Sequence, residues 1–99
     1  MEGRDGRWTF LTNHAHVLVC LSREPSLRLR DIAERVGITE RAAAQILSDL
    51  EGQGYLTRHR VGRRNEYELH FDRPLRHPNE RMYTVGQVLR VLGADIPGS

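Results

Sequence analysis

The chain has 99 residues, of which 38% are hydrophobic and 28% charged, so it is long enough for one domain with a single core and too apolar to be wholly disordered. No apolar run approaches the roughly 18 residues that span a bilayer, and the start MEGRDGRW has no apolar signal-peptide segment, so we expect a cytoplasmic protein. The formal net charge is only +2, so the location of the basic residues matters more than their total.

The first predicted element is a helix in TNHAHVLVCLSRE (12–24), where four residues recur with the period of a helix. Either Thr12 or Asn13 caps its start. Pro25 ends it, and LRL (27–29) is either a brief strand or the lead into the next helix. The four periodic residues are Ala15, Leu18, Val19 and Ser22.

The next two predicted helices lie close together in the chain. RDIAERVG (30–37) is typical of a short helix that closes at Gly37. Thr39 then caps a longer helix that runs to about Gln53, before Gly54 stops it. Two helices joined by so few residues must cross steeply, which predicts a helix-turn-helix unit.

After this unit the period of the pattern changes to two. YLTRHRVGRRNEYELHF (55–71) alternates on both sides of Gly62, which predicts a two-stranded hairpin. The polar, proline-containing stretch 72–83 predicts a linker loop without regular structure. A last helix is expected over 84–93, capped by Thr84. Its apolar stripe consists of Val85, Val88, Leu89 and Leu92.

A family pattern runs through DIAERVGITERAAAQILSDLEGQGYLTRHRVGRRNEYEL. Its marks are Ile32-Ala33, Val36-Gly37-Ile38-Thr39, Leu47, Leu50-Glu51, Gly54-Tyr55-Leu56, Gly62-Arg63-Arg64 and Tyr67. On these residues the chain resembles the MarR/ArsR-like winged helix-turn-helix transcription regulators of prokaryotes. The resemblance implies a mainly α fold with a small β-hairpin (α+β). We expect a single domain over 1–99, with its core at 12–71.

In such families the helix after the turn lies in the DNA major groove. The resemblance therefore points the outward side chains of the helix 39–53 at base edges: Arg41 suits guanine, Gln45 adenine and Glu40 cytosine. The alternative is that the first turn is merely solvated, since an acidic residue there is favoured by the helix dipole alone. The candidate DNA contacts on this helix are Thr39, Glu40, Arg41, Ala44, Gln45 and Ser48.

The hairpin tip concentrates positive charge. RHRVGRR (58–64) holds four arginines, one histidine and no acidic residue, which favours a wing that contacts phosphates or a narrow minor groove. The alternative is that exposed hairpin ends use arginine to block edge pairing. The candidate contacts here are Arg60, Arg63, Arg64 and Asn65.

Apolar residues at both ends of the chain exceed what a small three-helix core consumes. Regulators of this resemblance form homodimers through their terminal helices, which implies the same use here. The alternative is that the last helix only folds back to cover its own core. The candidate dimer contacts are Trp8, Phe10, Leu11, Val85, Val88, Leu89 and Leu92.

Metal and enzyme functions find little support in the sequence. His16 and Cys20 stand four residues apart on the first helix, but two ligands fall short of a tetrahedral site. A set made of His70, Asp72 and His77 is the other alternative, and we expect no metal or cofactor. The sequence has no nucleophile elbow or phosphate-binding glycine loop, so we expect no enzyme.

The leading hypothesis is therefore a sequence-specific regulator of transcription that binds double-stranded DNA as a homodimer, without a membrane partner. A competing hypothesis is a winged helix that serves as a protein-interaction module. A third is a protein that binds nucleic acid without sequence preference, through the basic hairpin alone.

Overall fold

A computed structural model describes residues 9–93 of the chain. Three helices come first, a hairpin follows, and a short helix lies near the end of the described range. This order confirms the mainly α architecture with a small antiparallel hairpin. The elements are α1 (Asn13–Arg23), α2 (Leu29–Val36), α3 (Glu40–Gly52), β1 (Leu56–Val61), β2 (Arg64–Leu69) and α4 (Val85–Val91), with a 3₁₀ turn at Pro78–Glu80.

Threonine hydroxyls start three of the helices by accepting a backbone hydrogen bond that the first turn leaves unmade. Thr12 caps α1, which decides between the two candidates that the sequence left open. Thr39 accepts from the Ala42 amide at 3.0 Å and so starts α3 as predicted. At Thr84 the cap is reciprocal, because the side chain of Gln87 also accepts from the Thr84 amide.

The turn between α2 and α3 depends on Gly37. This residue has a φ of +85°, a left-handed conformation that favours glycine and ends a helix sharply. The amides of Gly37 and Ile38 both donate to the carbonyl oxygen of Ala33, and Ile38 packs against the core. Leu27 is buried, but residues 27–28 form no strand, so LRL is the lead into α2.

The inward face of α1 differs from the predicted stripe. Val17, Leu18 and Leu21 are its buried residues, whereas Ala15, Val19 and Ser22 are only half-buried. Leu18 alone was placed correctly at the centre. The reason is that α1 contacts α2, α3, β2 and α4 together, so its buried surface is wider than a single helical stripe and is centred elsewhere.

The core is closed by α3, which buries Ala43, Ile46, Leu47 and Leu50. Across residues 9–93 no charged side chain is buried, as expected from the cost of removing a charge from water. The core is thus held by apolar packing, and the charged groups of this range lie around it.

The hairpin pairs β1 with β2 so that Leu56 faces Leu69 and Val61 faces Arg64. Only two residues connect the strands, and Gly62 supplies the positive φ of +63° that a tight hairpin turn requires at its first central position. Leu56 and Tyr67 are buried against the helices, while the tip is exposed. The predicted hairpin is confirmed.

The stretch 72–83 is more ordered than the linker loop without regular structure that the sequence predicts. A bridge joins Pro74 to Thr84, and the Leu75 amide donates to the Tyr83 carbonyl oxygen at 3.0 Å. The hydroxyl of Tyr55 donates to the Pro74 carbonyl oxygen, also at 3.0 Å. Its prolines prevent regular structure, yet long-range hydrogen bonds still fix the path of the stretch.

Helix α4 approaches the end of the hairpin closely through Gly86. The Gly86 amide donates to the Phe71 carbonyl oxygen at 2.8 Å. A Cβ added at Gly86 would lie 2.8 Å from that oxygen and 2.9 Å from the Phe71 Cβ. Glycine therefore allows α4 to pack at this distance, with Val85 and Leu89 in the core.

Gly86→Ala should lower the free energy of unfolding by about 1–3 kcal/mol, because the added methyl group overpacks this contact. The matched control is Gly52→Ala at the end of α3, where an added Cβ meets nothing within 4 Å, so that variant should be neutral or slightly more stable. Urea unfolding followed by circular dichroism measures both. Equal loss of stability in the two variants would contradict the close packing of α4.

Candidate nucleic-acid interface

The outward face of α3 carries the six side chains that the sequence predicts as DNA contacts. All six are exposed, because the opposite face of the helix is held in the core. They form one continuous patch at the start of the helix. These residues are Thr39, Glu40, Arg41, Ala44, Gln45 and Ser48.

The three consecutive alanines of α3 lie in three different environments. Ala43 is fully buried where α2 and α3 pack together. Ala42 is half-buried at the edge of the core, and Ala44 is exposed among polar neighbours. A small side chain at Ala44 leaves the backbone of the helix accessible to a close partner surface.

The hairpin tip presents Arg60, Arg63 and Arg64 to solvent, with Asn65 half-buried. A groove of about 410 Å³ runs between this tip and the start of α2. Arg63, Arg64 and Asn65 line it on one side and Arg28 on the other, whereas no residue of α3 does. The helix face and the wing are therefore two separate polar surfaces.

Arg58 has a different role from the arginines at the tip. Its guanidinium donates to Glu51 at 2.8 Å, and both side chains are about 40% exposed (41% and 40%). This hydrogen bond is the main reason that the pKa of Arg58 is raised. Arg58 thus ties β1 to the carboxyl-terminal end of α3.

A polar cluster beside α3 was missed by sequence reasoning. Asp49 accepts hydrogen bonds from Nε2 of His14 and from Nε2 of Gln45, each at 2.9 Å. These two bonds, with His14 contributing most, hold the pKa of Asp49 below its usual range, and the positive charge of Arg76 acts in the same direction. Because a carboxylate only accepts hydrogen bonds, the His14 Nε2 atom must carry a proton.

One half of this cluster was visible in the sequence. Gln45 and Asp49 stand four residues apart on a predicted helix, a spacing at which side chains meet. The contact with His14 spans 35 residues, and it depends on how α1 packs across α3, for which no local pattern exists. A cavity of about 540 Å³ adjoins the cluster, lined by Thr12, His14, Asp49, Leu50, Gln53, Tyr55 and Arg76.

The metal alternatives gain no geometric basis within residues 9–93, where no group of three or more His, Cys, Asp or Glu side chains could hold an ion. His70 instead bonds to the Thr57 hydroxyl at 2.6 Å, and His77 accepts from the Asn79 amide. Burial raises the pKa of the Cys20 thiol, which disfavours the thiolate that metals bind.

The candidate dimer contacts fall into several groups. Trp8 lies outside the described residues. Phe10 is 91% exposed, whereas Val85 and Leu89 are buried in the chain's own core. Leu11, Val88 and Leu92 are half-buried. Val91, which the sequence did not single out, is 85% exposed.

Among the described helices, none has the length and apolar character needed to cross a membrane.

The comparison with protein families gives a match over residues 12–61 to the model described as MarR family. This range contains α1, α2, α3 and β1, and therefore the whole candidate face of α3. No curated protein matches the sequence.

Solved structures of transcription regulators resemble the chain. One of the PcaV transcriptional regulator from Streptomyces coelicolor is 34% identical, covers 60% of this chain and 46% of its own, and has a TM-score of 0.52. Another, of PcaV in complex with its natural ligand, is 28% identical, covers 89% of this chain and 64% of its own, and has a TM-score of 0.56.

The structure of MepR, a transcription regulator of the Staphylococcus aureus multidrug efflux pump MepA, is 18% identical, covers 82% of this chain and 56% of its own, and has a TM-score of 0.57. At that identity the likeness concerns the fold, which is that of a winged helix-turn-helix. The chain spans less than two thirds of the length of each of these structures.

The polar cluster predicts a measurable titration. Asp49 should titrate below the usual range of an aspartate, and His14→Ala should raise its pKa more than Gln45→Ala does, because His14 is the larger cause. Since the folded-state pKa is lowered, the contribution of Asp49 to stability is present at neutral pH and is lost as the pH falls through that pKa. Carboxyl-carbon NMR shifts recorded against pH measure both effects.

Glu68 provides the internal control in the same spectra. Its pKa is lowered chiefly by a hydrogen bond from His59, so His14→Ala should leave it unchanged. An Asp49 pKa that does not respond to His14→Ala would contradict the cluster.

Proposed function

Because the chain belongs to the MarR family, we propose that it is a sequence-specific, double-stranded DNA-binding regulator of transcription. The observation that carries the proposal is the division of α3 into two faces. Its apolar face is fully used by the core, and its polar face is exposed and continuous. That division leaves the polar face free for a base-reading surface.

Base recognition is assigned to the start of α3. The planar fork of Arg41 can donate twice to guanine, and the amide of Gln45 can both donate to and accept from adenine. Glu40 can accept from cytosine. Thr39 already accepts a backbone bond as the helix cap, and its hydroxyl proton is still available to a phosphate oxygen. Ser48 lies at the far end of the same face.

The wing supplies affinity more than specificity. Arg63 and Arg64 are exposed beside the groove that also contains Arg28, which suits them to phosphates or to a narrow minor groove. Arg60 donates to the carbonyl oxygen of Gly62 at 3.2 Å, so its guanidinium stays near the tip, and Asn65 completes the wing.

We propose further that the regulator acts as a homodimer of single-domain chains, with the winged-helix core at 12–71 and the contact surface at the chain's ends. Phe10 and Val91 are the most exposed large apolar side chains that it offers. A dimer would place two α3 helices in successive major grooves, roughly 34–36 Å apart. A regulator of bacterial promoters would act in the cytoplasm, where the chromosome lies.

Selection from random duplexes is the decisive experiment. The wild type should enrich one motif, and Gln45→Ala should relax preference at one base pair by about 1–3 kcal/mol. Arg63→Ala combined with Arg64→Ala should weaken all sequences about equally and reduce the salt slope by about 2, one for each phosphate contact.

The control for the wing variant removes the same charge elsewhere, with Arg81→Ala and Arg90→Ala, both at exposed positions. That control should leave the salt slope unchanged. If the wild type enriches no motif, the proposal fails; binding through the hairpin without sequence preference would then account for any remaining affinity.

Ala44→Glu tests whether α3 itself meets DNA. The site is exposed, so the variant should fold normally, but a bulky negative group would repel phosphates and abolish binding. Ala44→Ser keeps the small volume and should retain most of the affinity. Gel-shift titration and thermal melting measure the two properties. Normal DNA binding by Ala44→Glu would mean that α3 meets a different partner, such as a protein.

A further inference from the structure

Gln45 is restrained by a neighbour that itself makes no predicted contact with DNA. Its amide nitrogen donates to Oδ1 of Asp49 at 2.9 Å, one turn further along α3. A glutamine side chain on an exposed helix face otherwise samples many rotamers, and ordering it costs free energy when it binds. The hydrogen bond to Asp49 selects one region of that freedom before DNA arrives.

The restraint leaves the base-reading groups of Gln45 available. A primary amide has two N–H donors and one carbonyl acceptor. Asp49 uses one donor, so the second donor and the Oε1 acceptor remain for a base edge. Bidentate pairing with adenine needs one donor and one acceptor, which is what Gln45 retains.

Asp49 is in turn fixed from outside the helix. Its second oxygen, Oδ2, accepts from Nε2 of His14 at 2.9 Å, and both side chains are 45% exposed. His14 lies in the first turn of α1, which packs across α3. The carboxylate is therefore held between two helices, with one oxygen committed to each partner.

We propose that Asp49 is a positioning residue for base recognition: held by His14, it orients the amide of Gln45 so that this amide reads its base pair at a smaller ordering cost. The inference rests on the proposed function. It adds a residue outside the predicted contact set, and it assigns a role to α1 in specificity.

The test compares Asp49→Ala with Asp49→Asn by measuring affinity for duplexes that match or mismatch the selected motif at the base pair read by Gln45. Both variants remove the negative charge, so both change general attraction to DNA equally. Only asparagine keeps an acceptor for the Gln45 amide. The readout is the ratio of matched to mismatched affinity, which charge alone does not move.

Asp49→Ala should lower this ratio by roughly 2- to 10-fold, the range that corresponds to ordering one long side chain, whereas Asp49→Asn should keep it near the wild-type value. His14→Ala should lower it by a smaller factor. In the Gln45→Ala background, Asp49→Ala should change the ratio no further, because the group that it positions is gone.

The failures of the two proposals are distinguishable. If Gln45→Ala relaxes the preference but Asp49→Ala does not, the pair is only an ordinary helix-surface contact and the positioning role is overturned while the regulator proposal stands. If Asp49→Ala raises the ratio, Asp49 withholds the amide from DNA, which also overturns the inference. If the wild type has no preference at any base pair, the proposed function itself fails.

Discussion

The rotation of α3 about its own axis is the constraint on which the rest of the structure depends. Ala43, Ile46, Leu47 and Leu50 occupy the core, and a helix with four positions buried at this spacing has only one orientation that keeps them dry. The outward face is then decided by default. The interface is in this sense a product of packing, since no side chain on it needs to be buried for the helix to be placed.

Polar contacts add the alignment that apolar packing does not specify. With no charged group buried in residues 9–93, the ion pairs of this range lie at the surface, where each contributes little to stability. Their value lies in where they are: Glu51 to Arg58 joins α3 to the hairpin, and Asp49 to His14 joins α3 to α1. Both join neighbouring elements to α3, one near its end and one within its second half.

The sequence predicted well those features that depend on a few consecutive residues. The caps at Thr39 and Thr84, the turn at Gly37 and the hairpin at Gly62 are local chemistry, and all are present. The inward face of α1 and the order of 72–83 were predicted wrongly, because several elements packing together decide them. The link from His14 to Asp49 belongs to the same class, since only the tertiary fold brings residues 35 positions apart into contact.

The attachment of α4 has a mechanical consequence. Arg73 donates to the Gln53 carbonyl oxygen at the end of α3 (3.4 Å) and its own carbonyl accepts from the first residue of α4 (2.9 Å). With Gly86 seated on Phe71, the helix is coupled stiffly to both the recognition helix and the wing. In a pair of such chains joined near α4, a small tilt at the joint would act as a lever. It would change the span between the two reading heads, so occupancy of an operator could be controlled by angle alone, without unfolding any part of either head.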